Sequence, residues 1–207
     1  MANLAEVSQE NRAGTRYYRS QSLISPDRRY AVYSRIQLQA QPDFTRSRVS
    51  SVLYLEHLKT GDLRIITTSS SLIEQFGHST DYDYRLGTIA ILIPVAWSEQ
   101  SDRILAREFE GIFGSSMASD CAIVWDRSIN RVRTFVPNHI TYTTAVLLGW
   151  SELHPDRVLF RAGNLGEDQW QLWTVDSQGQ TVAAPDDRPL VFGQSIISNW
   201  TGPQVAA

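Results

Sequence analysis

Hydrophobic and polar residues alternate with a period of two through most of this chain, and helical periodicity is weak everywhere. In Arg29–Leu38 the residues Tyr30, Val32, Ser34 and Ile36 fall on one face, the pattern of a half-buried strand. The same reasoning predicts strands at Ser22–Ser25, Val49–Leu58, Leu63–Thr67, Ile89–Trp97, Arg103–Phe113, Asp120–Asp126 and Arg131–Val136. It continues with Ala145–Trp150, Arg157–Ala162, Trp170–Asp176 and Gln180–Ala184, and Leu190–Trp200 supplies a last apolar run. Polar turns separate them: Lys59-Thr60-Gly61-Asp62 carries Thr-Gly and Gly-Asp pairs that favour a hairpin, and Asp176-Ser177-Gln178-Gly179 closes a later pair. The predicted class is all-β. Residues 1–20 read as a polar tail or a short helix interrupted at Gly14, residues 21–200 as one domain, and residues 201–207 as a C-terminal tail.

One local pattern occurs three times. Ser25-Pro26-Asp27-Arg28-Arg29-Tyr30 leads into one predicted strand pair, Ser98-Glu99-Gln100-Ser101-Asp102-Arg103 into a second, and Ser151 to Arg157 into a third. The starts lie 73 and 53 residues apart, and the longer interval contains the loops around Pro42 and His78. Self-similarity of this kind signals repeated supersecondary units, each holding about four strands, as in one propeller blade.

On these residues the chain resembles the blades of TolB-type and WD40-like β-propellers. The likeness rests on Ser25-Pro26-Asp27-Arg28-Arg29-Tyr30 before a strand and on the Lys59-Thr60-Gly61-Asp62 hairpin after one. Trp97-Ser98 and Trp150-Ser151 match more loosely, and Arg28 stands where the motif carries Gly. The resemblance spans about residues 20–188 and implies a fold only: a β-propeller-like domain of about three four-stranded blades plus an irregular closing segment. As a whole the chain also resembles a protein family of cyanobacteria, a likeness that carries no activity with it. Closed propellers use about four to eight blades, so the arc is open, completed by Leu190–Trp200 and the N-terminus, or shared between two chains. A β-sandwich or barrel built from the same hairpins is the alternative.

Composition narrows the function classes. With 42% hydrophobic residues the 207-residue chain can fill a core, and 20% charged residues are too few for an extended disordered chain. The single cysteine, Cys121, excludes an internal disulfide framework and fits a reducing compartment. Met1–Ser20 lacks an apolar run, and no stretch reaches the length of a transmembrane helix. The expectation is a cytoplasmic protein. Charge is uneven. Residues 1–50 hold eight Arg against four acidic residues, whereas the remainder holds eleven basic and eighteen acidic residues. Lys59 is the only lysine. Arg binds carboxylate and phosphate through a planar fork, so Arg12, Arg16 and Arg19 are candidates for docking an acidic partner. Genome composition alone also produces such Arg usage. The net charge of −3 disfavours nucleic acid as a ligand.

Candidate chemistry is sparse. His78 with Asp81 and Asp83 is the densest polar cluster, imidazole and carboxylates being metal ligands or acid–base groups when held in a cleft. A solvated loop is the simpler account. Glu108 and Glu110 share one face of a predicted strand, where paired carboxylates would suit glycoside hydrolysis; an exposed acidic face explains them as well. Cys121 lies in an apolar strand and reads as a buried thiol. Trp97, Trp125, Trp150 and Trp173 recur at related positions and read as structural pegs, while Trp170, three residues from Trp173, is a candidate recognition residue. No phosphate-loop, dinucleotide or nucleophile-elbow motif occurs, and no cofactor is called for. The expected function is a non-catalytic protein–protein interaction or assembly module, its partner another protein or a further copy of the chain. A carboxylate-dependent hydrolase and a small-ligand-binding propeller are the alternatives.

Overall fold

A computed structural model describes residues 13–69 and 87–197, together with the backbone of a short strand at Gln204–Val205. The protein is all-β. The described residues hold no α-helix, only a 3-10 turn at Phe44–Arg46. In chain order the strands are β1 (Gly14–Arg19), β2 (Ser22–Ile24), β3 (Tyr30–Ala40), β4 (Arg48–His57), β5 (Leu63–Thr68), β6 (Thr88–Trp97), β7 (Arg103–Ile112) and β8 (Ala118–Asp126). They continue with β9 (Arg131–Phe135), β10 (Thr144–Ser151), β11 (Val158–Gly163), β12 (Gln171–Val175), β13 (Thr181–Ala183), β14 (Pro189–Leu190), β15 (Gln194–Ile196) and β16 (Gln204–Val205).

Hairpin connections arrange most of them as three antiparallel meanders: β2 to β5, β6 to β9 and β10 to β13. A single parallel pair, Val49 with Ile89, joins the first two into one sheet, and the third forms its own. In each meander the repeated serine turn joins the first strand to the second, and the turn chemistry explains the repeat. Ser25 Oγ donates to Asp27 Oδ1 (2.6 Å) and accepts from the Tyr30 N–H (3.0 Å). Ser98 Oγ donates to Asp102 Oδ1 (2.6 Å) and accepts from the Arg103 N–H (2.9 Å). Ser151 Oγ donates to Asp187 Oδ2 (2.5 Å) and accepts from the His154 N–H (2.8 Å). Reversing the chain in so few residues needs one left-handed residue per turn, supplied by Arg28 (φ 56°), Ser101 (φ 60°) and Asp156 (φ 66°).

The second meander is the middle layer of a stack. One of its faces, through Leu92, Trp97, Ile104, Ala106, Ile123 and Trp125, packs on Leu23, Val32, Leu53 and Leu55 of the first. The opposite face, through Ala96, Leu105, Ala122, Val124 and Phe135, packs on Leu147, Trp150, Val158 and Phe160 of the third. Burial on both sides explains why β8 runs Asp120 to Trp125 without an exposed position, where a half-buried strand would alternate. Side chains also tie neighbouring layers by hydrogen bonds. The Ser51 hydroxyl accepts from the Leu92 N–H (2.7 Å), Ser119 Oγ from the Ala145 N–H (3.1 Å) and Asp120 Oδ2 from the Leu147 N–H (2.9 Å). Thus the leading strand of each later meander satisfies backbone donors that its open edge would otherwise leave buried and unmade. Indoles add a second tie: Trp97 Nε1–H donates to Leu23 O (3.0 Å) and Trp150 Nε1–H to Trp97 O (2.8 Å). The Trp97 and Trp150 pegs expected from sequence are therefore bonded as well as packed.

The described part of the C-terminal apolar run, Leu190 to residue 197, is irregular. It makes a strap across the leading strands of all three meanders. Leu190 pairs with Trp150, Phe192 with Trp97, and Gln194 with Ile24. Those three partners each precede the repeat serine, and the strap meets them at two-residue steps. Residues 14–19 differ from the expected tail or helix: β1 pairs with Arg35–Ala40 of β3, and its Arg16 and Tyr17 also pair with β16. Pro94 is accommodated in β6 by an irregularity of register between Pro94 and Ala96.

Candidate functional site: the outer face of the first meander

Alternation along β3 and β4 sends Val32, Leu53 and Leu55 into the stack. The intervening residues must face the other way. Register then collects a defined set on that outer face: Tyr33 opposite Tyr54, Arg35 opposite Val52, Gln37 opposite Ser50, and from β1 Tyr17 opposite Gln37 and Arg19 opposite Arg35. Ile65 of β5, opposite Tyr54, extends the surface and is 57% exposed.

The polar members are organised by aromatic contacts. The Arg19 guanidinium carbon lies 3.6 Å from the Tyr33 ring centroid, and that of Arg35 lies 4.6 Å from the Tyr17 centroid. The rings of Tyr33 and Tyr54 stack at 5.8 Å and 23°. Arg19 Nη2 donates to Ser22 Oγ (3.0 Å) and Gln37 Nε2 to the Tyr17 hydroxyl (3.5 Å). Beside them a cavity of about 220 Å³ is bounded by Tyr17, Arg35, Gln37, Ser50, Val52 and Tyr54. Among the described residues no carboxylate stands at ion-pair distance from Arg19 or Arg35. Two cations held in place by tyrosines, with no counter-charge among the described residues, form a surface suited to carboxylates of a partner.

Of the residues singled out by sequence, Arg19 lies on this face. Arg16 alternates to the other side of β1, with Leu38 as its β3 partner, so the two arginines do not act together. Arg12, His78, Asp81 and Asp83 lie outside the described residues. Trp170 stands at the far end of the stack, just before β12. Its Nε1–H donates to Asn164 O (3.2 Å), and its ring packs over Gly163, where a Cβ would fall 2.6 Å from Trp170 Cδ1. A cavity of about 670 Å³ opens beside it, lined by Arg161, Asp168, Trp170, Leu172 and Pro185. On this third meander the chain partly covers its own outer face. Ala184 N–H donates to Leu172 O and Glu152 N–H to Arg188 O, so residues 184–188 cross from β12 to β10. Leu159 and Thr174 beneath are fully buried.

The paired glutamates are a correction. Glu108 and Glu110 are 3% and 8% exposed, not an exposed acidic face, because β7 belongs to the middle layer. Asp120, 2% exposed, points to the opposite side and meets Arg107 at 2.8 Å. Burial raises its carboxyl above the ordinary value against the opposing pull of the Leu147 N–H and the Arg107 charge. Between these acids Cys121 is a buried thiol pushed up to about 12, by burial first and then by Glu110, Glu108 and Asp120. A thiol so poorly ionised is inert at neutral pH. No group of three His, Cys, Asp or Glu side chains among the described residues is placed to hold a metal ion, and no helix among them is long and apolar enough to cross a membrane.

Sequence reasoning missed Tyr17, Tyr33, Arg35 and Tyr54. Their signal was present as the second half of the alternation: where Val32, Ser34 and Ile36 point inward, Tyr33, Arg35 and Gln37 point out. No protein-family model matches the chain, and no curated protein is similar to it at a significant level.

Proposed function

We propose that the chain is a non-catalytic assembly module: an arc of three propeller-like blades whose first-meander face docks the third meander of a second copy. The observation that carries the reading is the open Tyr–Arg face on the most basic layer of a stack whose opposite layer is acidic. Residues 13–69 hold nine basic and four acidic side chains, residues 87–136 five and six, and residues 137–197 three and seven. Charge therefore runs from +5 through −1 to −4 across the three layers, so two copies arranged head to tail bring opposite charges together at both junctions.

The propeller-like reading is supported by the strap. Packed sheets stand about 10 Å apart face to face, whereas two residues of extended strap span roughly 6.6–6.8 Å. Leading strands met at two-residue steps are therefore closer than the bodies of their sheets, and the layers fan outward from the strap. A fan exposes a face at each end. Two such arcs make six layers, within the four to eight of closed propellers, and a two-fold pair closes where an open stack would leave both end faces bare.

Sedimentation velocity on the full chain at low and moderate salt tests the proposal. A dimer that weakens as salt rises, and that Arg19→Glu with Arg35→Glu converts to a monomer, is the expected result. A monomer at every concentration overturns the second-copy assignment. If those substitutions nevertheless abolish binding of a different, identified acidic protein, the face is a docking site with another occupant. If they change neither, the role given to the face is lost.

A further inference from the structure

A third cavity, independent of the docking face, lies between the first and second meanders. We propose that it binds the phosphate group of a small molecule. The cavity, about 340 Å³, is lined by Tyr30, His57, Thr60, Leu63, Arg64 and Arg127. Register explains the convergence: Tyr30 opens β3 opposite His57 at the end of β4, Arg64 lies in β5 opposite Leu55, and Arg127 follows β8.

Each guanidinium lies over an aromatic ring. The Arg64 guanidinium carbon lies 4.6 Å from the ring centroid of Trp125, and that of Arg127 lies 4.9 Å from the Tyr30 centroid. Tyr30 is in turn held edge-on by His57 at 5.1 Å. Neither arginine has a carboxylate at ion-pair distance among the described residues. Asp62 also borders the cavity, but one of its oxygens is taken by the Thr60 hydroxyl (2.6 Å). Farther out, Arg127 contributes to holding the Asp27 carboxyl below its ordinary value, through charge and without a bridging contact.

Arg127 Nη1 is itself buried, out of reach of a solute in the cavity, and has no hydrogen-bond acceptor among the described residues. Two guanidiniums line one cavity, and the planar fork of Arg matches phosphate oxygens. The volume exceeds that of a bare phosphate and leaves room for an organic body against Tyr30.

The test is calorimetric titration and thermal melting of the full chain with inorganic phosphate and, separately, ribose 5-phosphate, against chloride at equal ionic strength. The account expects saturable stabilisation by at least one phosphate compound, weakened by about tenfold or more in Arg127→Gln and in Arg64→Gln. Arg131→Gln, on β9, retains it. Tighter binding of ribose 5-phosphate than of inorganic phosphate identifies a phosphomonoester as ligand; equal binding identifies phosphate alone. Because either variant could fold poorly, the Trp125 indole N–H signal of the wild type gives a second readout, shifting on titration since Arg64 lies over that ring. No stabilisation beyond chloride, or stabilisation undiminished in both variants, overturns the proposal.

Discussion

Gly193 is where the strap comes close against β2 and Trp97, and replacing it by alanine measures whether the strap is seated as described. Its φ of +106° is a conformation that side-chain-bearing residues rarely adopt, and an added Cβ would fall 2.8 Å from Ile24 O, 2.9 Å from Trp97 Cδ1 and 3.2 Å from Leu23 Cδ1. None of those neighbours is a loose end: the first is backbone of β2, and Trp97 and Leu23 are core residues. The conformational part costs about 1–2 kcal/mol, offset by roughly 0.4–1 kcal/mol from the less free unfolded chain. Overlap against a packed wall adds about 1–3 kcal/mol. Gly193→Ala should therefore lose about 1–5 kcal/mol in total. Gly166 is the control, because its φ of +91° is similarly strained but nothing lies within 4 Å of its Cβ position. Gly166→Ala should lose about 0–1.6 kcal/mol. Urea unfolding followed by tryptophan fluorescence, with a common m value, gives both numbers. Losses equal to within about 0.5 kcal/mol would refute the reasoning.

Other positions give sharper chemical readouts. Asp187 is buried, which works to raise its pKa, yet the Ser151 hydroxyl and the Leu153, Arg188 and Glu152 N–H groups together bring it below the ordinary 3.8. Its contribution is therefore present above that value and lost as pH falls through the depressed one. Asp187→Asn should cost about 1–3 kcal/mol at neutral pH and flatten this part of the acid limb in urea midpoints measured against pH. Cys121, pushed up to about 12, should resist a thiol-specific disulfide reagent at about pH 8 until the protein unfolds; rapid native labelling would contradict its burial. Arg28, at φ 56°, should gain about 0.5–1 kcal/mol on replacement by Gly, read as a higher urea midpoint. An unchanged or lower midpoint would show that the Arg28 side chain contributes more than its backbone costs.

Local features were legible in the sequence and non-local ones were not. The strands of the three meanders follow from alternation and turn residues, and Ser25 and Ser98 bond to an acid within the turns they open, whereas Ser151 takes Asp187 from outside its turn. Gly14–Arg19 was hidden because its polar letters acquire strand character only by pairing with β3 and β16, which lie far along the chain. Glu108 and Glu110 were misplaced because period-two alternation tells which residues share a face, not whether a second layer covers it. The strap was hidden by its shortness: β14 and β15 are brief, separated by Gly193, and defined by three different partners. On the outer face of the first meander, Arg19 was recognised from charge. Tyr17, Tyr33, Arg35 and Tyr54 gain meaning only once registers set them side by side.

Head-to-tail association is tested most directly by a complementary mixture in the ultracentrifuge. One variant carries Arg19→Glu and Arg35→Glu on the first-meander face; the other carries Asp168→Arg and Asp186→Arg, both exposed positions of the third meander. Each alone should sediment as a monomer, because its own junctions place like charges together. Mixed, they should form a one-to-one dimer, since one junction is then native and the other has its charges exchanged. Dimers of either variant alone, or a mixture that remains monomeric while the wild type dimerises, would contradict the account.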